Sequence, residues 1–97
     1  MSVTKPDNTV RELSELRREM DEIDNQISLL LIQRLKISES IGKIKKGLAL
    51  NSYTPERERE TLARVTEIAD SPQLKVHLRS IFQRIIDQSR AVQRKFK

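Results

Sequence analysis

The stretch LSELRREMDEIDNQISLLLIQRLKISESIGKIKKGL, residues 13–48, decides the fold. Alternating steps of three and four through it meet Leu13, Leu16, Met20, Ile23, Ile27, Leu30, Arg34, Ile37, Ile41, Ile44 and Leu48, and every one is apolar except Arg34. That alternation is the coiled-coil pattern and describes a long helix packed along its length against other helices. Burying a guanidinium in such a seam is costly. Arg34 therefore needs either an acidic partner inside the bundle or an anionic ligand.

Outward from this seam, residues 1–9 are polar, contain Pro6 and lack periodicity, so they read as a flexible leader to a domain of residues 10–97. The first helix is expected from about Val10 to Lys46, with Gly47 as a left-handed cap and Lys43, Lys45 and Lys46 complementing the helix dipole. A polar loop, Leu48 to Tyr53, comes next. Thr54 before Pro55 and Ser71 before Pro72 are helix starts, with the hydroxyls as caps and proline at the first helical position. They give a second helix of about Pro55–Ala69 and a third of about Pro72–Lys95. The fold class is all-α: three helices, one long and two shorter. The long helix would span roughly 50 Å, whereas a compact domain of this size is about 30 Å across. A single chain would leave part of the seam bare, so the expectation is an intertwined homodimeric bundle.

Composition agrees with that reading and narrows the function classes. The chain has 97 residues, two glycines, three prolines, 3% aromatics and no cysteine, which suits a helical domain and excludes disulfides and cysteine-zinc sites. With no signal peptide or long apolar run, a soluble protein of a reducing compartment is expected, most simply the cytoplasm, with no membrane association. The net charge of +5 is compatible with nucleic acid, but acidic residues are interleaved with the basic ones. A nucleic-acid binder would cluster cations on an exposed face; here the notable cations lie on inward faces.

Each helix turns polar groups inward. The apolar stripe Leu62, Val65, Ala69 of the second helix extends back onto Glu58, and the stripe Leu78, Phe82, Ile85 of the third runs on to Ser89 and Gln93. Lys45 follows Arg34 by eleven residues, close to three full turns, so both project from nearly one side of the first helix. Singly, each has a bland reading. Arg34 can pair with an acid such as Glu58, Lys45 and Glu58 can serve helix dipoles, and Ser89 and Gln93 can mark where the core runs out. Together they supply cations, a carboxylate and neutral hydrogen-bonders, the set that a pocket for a small hydroxylated polyanion requires.

Leu16-Arg17, Asp21 to Asp24, Arg34, Gly42-Lys43-Ile44-Lys45, Pro55-Glu56-Arg57-Glu58 and Ile85-Ile86-Asp87 with Ser89 and Gln93, in this order and spacing, resemble the all-helical, intertwined dimeric chorismate mutases. The resemblance covers nearly everything but the leader. It implies conversion of chorismate to prephenate in phenylalanine and tyrosine biosynthesis, with no cofactor and no metal. It also implies that Arg17, reaching across from the partner subunit, and Arg34 bind the two substrate carboxylates. Lys45 and Gln93 would flank the ether oxygen, Glu58 would orient the ring through its hydroxyl, and Ser89 would hydrogen-bond a carboxylate, with Arg57 nearby in support. Thr54 stands where close relatives often carry an aspartate that touches the ring hydroxyl. Geometry agrees with a site shared between subunits: Arg17 and Arg34 are seventeen residues apart, about 25 Å along a straight helix, too far for one chain's pair to clasp one small dianion. The alternatives are isochorismate pyruvate lyase, a relative on the same fold that tends to lack the Glu58 equivalent, and a non-enzymatic helical partner or regulatory module. The family is often fused to or partnered with another shikimate-pathway enzyme, and the resemblance leaves such an association open.

Overall fold

A computed structural model describes residues 6–96, which form three helices: α1 (Pro6–Gly47), α2 (Pro55–Thr66) and α3 (Pro72–Arg94). Among these residues there is no strand, and no helix is long and apolar enough to cross a membrane. The all-α, three-helix expectation is met. The chain divides into two units, residues 1–33 and residues 34–97.

The helix ends differ from expectation in three places. First, α1 starts at Pro6, so it takes in residues 6–9, which the sequence reading assigned to the leader. Proline lacks an N–H, which costs nothing in a first turn whose amides have no helical partner. The rest of the expected leader, residues 1–5, lies outside the described residues.

At the other end of α1, Gly47 is helical and the left-handed residue is Ala49, with φ 56°. The Ala49 N–H donates to the Lys46 carbonyl at 3.1 Å and the Leu50 N–H to the Lys45 carbonyl at 2.7 Å. These are the paired bonds of a Schellman cap, which closes two residues later than the glycine suggested. Finally, α2 ends at Thr66 rather than Ala69. The Thr66 hydroxyl donates to the Leu62 carbonyl at 2.5 Å; the Glu67 N–H still reaches the Ala63 carbonyl at 3.3 Å, but the Ile68 and Ala69 amides fall back on the i−3 carbonyls of Val65 and Thr66 at 3.2 and 3.3 Å. A hydroxyl that bonds back one turn competes with the helical ladder and favours a stop.

In the first unit every described side chain except the half-buried Leu31 is exposed. The seam residues Leu16 and Leu30 are 61% and 62% open. The second unit has a small core of Leu62, Val65 and Ile86, formed where α2 packs on α3. The α1 stretch of this unit buries Ser38 and Gly42 and leaves the seam residues Ile37 and Ile44 exposed. Gly42 is needed there by contact: a Cβ would lie 2.8 Å from a Phe96 ring carbon, 2.9 Å from the Gln93 Cα and 3.0 Å from the Gln93 carbonyl oxygen. Its missing side chain lets the backbones of α1 and α3 approach closely. The Ser71 hydroxyl caps α3 by accepting from the Leu74 N–H at 3.2 Å, as its place before Pro72 indicated.

Candidate active site

Small and long polar residues alternate along one side of α1 at helical steps, Arg34, Ser38, Gly42, Lys45. Because Gly42 has no side chain, α3 comes close there, while Arg34 and Lys45 reach into a space that α2 also lines. The result is a cleft of about 420 Å³. Arg34, Ile37, Ile41 and Lys45 line it from α1, Arg57, Glu58 and Thr61 from α2, and Ile86, Arg90 and Gln93 from α3, with Ser52 and Thr54 from the loop. Six of the residues singled out in the sequence thus share one cavity: Arg34, Lys45, Thr54, Arg57, Glu58 and Gln93.

The seam arginine has found no acid. Arg34 donates from Nη1 to the hydroxyl of the buried Ser89, and among the described residues no carboxylate forms an ion pair with it. Burial, together with repulsion from Arg57 and Arg64, holds its pKa below the ordinary arginine value. A cation set among cations with only a neutral acceptor has unspent capacity for an anion.

Lys45 donates from Nζ to Gln93 Oε1 at 3.0 Å and to the Ser52 carbonyl at 3.4 Å. With its oxygen taken by Lys45, the Gln93 amide keeps its NH₂ group available as a donor. Here α1 and α3 cross at Gly42, so the close backbone approach sets this pair.

Glu58 is matched instead by Arg90, a residue the sequence reading passed over. Arg90 Nε donates to Glu58 Oε2 at 3.0 Å and Nη2 to Oε1 at 2.5 Å. The hydrogen bond to Glu58 is the main cause raising the Arg90 pKa above its ordinary value. A signal for Arg90 existed: it lies one helical step of four beyond the buried Ile86, and an inward carboxylate on α2 requires a cation.

Two expected details differ. The Thr54 hydroxyl makes no cap bond. The Thr54 carbonyl accepts from the Glu58 N–H at 3.1 Å, and Pro55 has no amide to satisfy, so the hydroxyl is left to line the cleft. Ser89 accepts from Arg34 and is not part of the cleft wall. Arg57 is exposed, with Glu60 3.8 Å away. Arg17 belongs to the first unit, where it is exposed.

Cations without a carboxylate partner among the described residues, a neutralised carboxylate, and amide and hydroxyl groups share one cleft of an all-helical domain, a set that suits a small, hydroxylated polyanion. The chain belongs to the chorismate mutase type II family, whose model matches residues 16–94. That membership makes it an isomerase of the rearrangement of chorismate to prephenate. Over 88 residues it is 28% identical to the chorismate mutase of Methanocaldococcus jannaschii, a match covering 90% of this chain and 89% of that one. Over 59 residues it is 42% identical to the bifunctional chorismate mutase/prephenate dehydratase of Aquifex aeolicus, covering 61% of this chain and 16% of the longer protein. Among solved structures it resembles a conserved hypothetical protein from Pyrococcus furiosus, with a TM-score of 0.71 and 44% identity over 84% of this chain and 95% of that one.

Proposed function

We propose that the cleft is the larger part of a chorismate mutase active site, completed by Arg17 from a second copy of the chain. One carbon–oxygen bond of chorismate breaks while one carbon–carbon bond forms within the molecule, so the site has two tasks. It must hold the enolpyruvyl chain over the ring in the reactive conformer, and it must stabilise negative charge developing on the ether oxygen. Arg34, braced by Ser89, takes one carboxylate and the second copy's Arg17 takes the other. The Lys45 ammonium and the free Gln93 NH₂ group flank the ether oxygen and strengthen their interaction as charge grows there. Glu58, already neutralised by Arg90, accepts from the ring hydroxyl. Thr54 can add only a neutral contact on that side, and Arg57 adds positive potential.

The single observation carrying this reading is the division of charge in the cleft: Arg34 and Lys45 have no carboxylate partner among the described residues, while the inward carboxylate, Glu58, is held by Arg90. Dimerisation is supported by the apolar surface. Among the described residues three apolar side chains are buried, whereas the apolar members of the seam from Leu13 to Leu48 are exposed, and so small a core does not stabilise a domain of this size. The isochorismate pyruvate lyase alternative lacks comparable support, because Glu58 is built into the cleft. The Aquifex relative joins chorismate mutase with prephenate dehydratase; for this chain, association with a prephenate-consuming enzyme is the corresponding proposal.

The test is disappearance of chorismate absorbance with the purified chain, with prephenate identified by acid conversion to phenylpyruvate and isochorismate assayed in parallel. Chorismate turnover is expected; release of pyruvate from isochorismate alone would move the assignment to the lyase. Lys45→Ala should lower kcat about 100-fold or more, as loss of a preorganised transition-state donor does. Near-normal turnover in that variant would refute its role.

A further inference from the structure

Glu58 on α2 and Arg90 on α3 meet in a fork, each nitrogen serving one carboxylate oxygen. Both side chains are largely withdrawn from solvent, 16% and 22% exposed. Arg90 is itself braced: its guanidinium stacks on the Tyr53 ring at 5.0 Å, and Asp87 lies 3.8 Å from Nη2. Two-pronged, charge-assisted pairs of this kind fix orientation as well as charge. Arg90 lines the cleft, yet no step of the rearrangement requires it.

Its purpose follows from what Glu58 would do without it. Glu58 shares the cleft with Arg34, Lys45, Arg57 and Arg64. A long, flexible carboxylate released from its partner in a poorly solvated site moves to the nearest unpaired cation, since remaining alone there is expensive. Arg34 and Lys45 are the groups that the substrate needs. An internal ion pair with either would occupy the place of a substrate carboxylate and compete with binding.

We infer that Arg90 is a positioning residue that holds Glu58 away from the substrate-binding cations and turned toward the ring hydroxyl, with Tyr53 bracing the clamp. This rests on the chorismate mutase reading of the cleft. Arg90 acts through Glu58, so its loss should matter only while Glu58 carries a charge.

Steady-state kinetics of the full chain with chorismate test this, using Arg90→Gln, Glu58→Gln and the double variant. Arg90→Gln should raise KM about tenfold or more with a smaller change in kcat, the pattern of lost ground-state binding. Arg90→Lys should recover part of that loss. In the Glu58→Gln background, adding Arg90→Gln should leave KM unchanged, because a neutral amide does not capture Arg34 or Lys45. A merely structural arginine would lower the melting temperature of both backgrounds without this dependence. An equal KM rise in both backgrounds would mean that Arg90 touches substrate itself, and an unchanged KM in Arg90→Gln would mean that it does nothing for binding; either overturns the inference. Should Arg90→Gln fail to fold, Tyr53→Leu removes only the brace and should raise KM about two- to threefold, and no rise there is equally fatal. A wild-type chain that leaves chorismate untouched would instead defeat the underlying reading, and the clamp with it.

Discussion

Residues 8–33 and residues 34–47 of α1 carry one continuous apolar seam, yet only the second stretch has a buried side. In the first stretch only Leu31 is even half-buried. In the second, Ser38 and Gly42 are buried, Arg34 and Lys45 half-buried, and the seam isoleucines Ile37, Ile41 and Ile44 still exposed. Leu35 and Glu39 are half-buried as well, so burial within the chain runs along Arg34, Leu35, Ser38, Gly42 and Lys45 and leaves the seam isoleucines open. An apolar stripe that its own chain leaves uncovered through both stretches is available to another chain, and the residues of α1 that meet α3 and line the cleft all lie in the second stretch.

The largest test of this contrast is to charge the seam in the first stretch. Ile23→Glu combined with Leu30→Glu should abolish dimerisation and, with it, cooperative folding, because each buried unpaired carboxylate costs several kcal/mol. Sedimentation and circular dichroism check it. A variant that remains a dimer would show that the exposed seam is not the interface.

A sharper version asks whether the two stretches meet functionally between copies. Arg17→Ala and Arg34→Ala should each remove nearly all turnover. Refolding the two variants together in equal amounts should restore about a quarter of wild-type activity, since half of the dimers are mixed and each of these regains one of two sites. No recovery on mixing would confine both arginines to their own chain or deny Arg17 a role.

Within the second stretch, Gly42→Ala tests whether the close contact on the buried side sets catalysis. The added Cβ meets the Gln93 backbone, so α3 must shift and the Lys45–Gln93 pair, 3.0 Å apart, must open. A displacement well under an ångström at a transition-state donor should lower kcat about tenfold while KM changes little. Equal activity in Gly42→Ala would show that the pair tolerates the shift.

Much of this architecture was legible because helical spacing is a strong signal. The Thr54-Pro55 and Ser71-Pro72 starts fixed α2 and α3, and the three-residue and four-residue steps from Leu62 and Ile85 led to Glu58, Ser89 and Gln93. Periodicity reports which residues share a face, not what that face meets. The spacing therefore picks out the apolar seam of α1, Arg34 within it and Lys45 three turns on, whereas Ser38 and Gly42, the buried residues between them, carry no periodic signal and are recognisable only as small residues set between two long cations. Arg90 escaped for a related reason. An inward carboxylate announces that it needs a cation, but several arginines on α2 and α3 could have answered, and only the packing of the two helices selects one. The Thr54 cap failed because a hydroxyl at a helix start has two uses, and the proline beside it reduced the demand for one of them.

The smallest expected effect concerns the end of α1, where local rules and structure disagree most plainly. Gly47 is the residue that sequence preference would place in the left-handed position, but the cap closes on Ala49 at φ 56°. The two cap bonds from Ala49 and Leu50 reach Lys46 and Lys45, so the same closure terminates the helix and holds the backbone that carries the Lys45 side chain. An L-residue with a Cβ loses about 1–2 kcal/mol in that conformation, while glycine costs about 0.5–1 kcal/mol of extra chain entropy on folding. The strain is the larger quantity, and Ala49 is exposed, so no packing is lost with its methyl. Ala49→Gly should therefore stabilise the chain by about 0.5–1 kcal/mol, raising the melting temperature by roughly 3–5 °C at fixed protein concentration. Turnover should be unchanged, because the cap bonds are backbone bonds and Lys45 keeps its place. A lower melting temperature would show that the left-handed turn is held so firmly by its neighbours that the strain at Ala49 is already relieved.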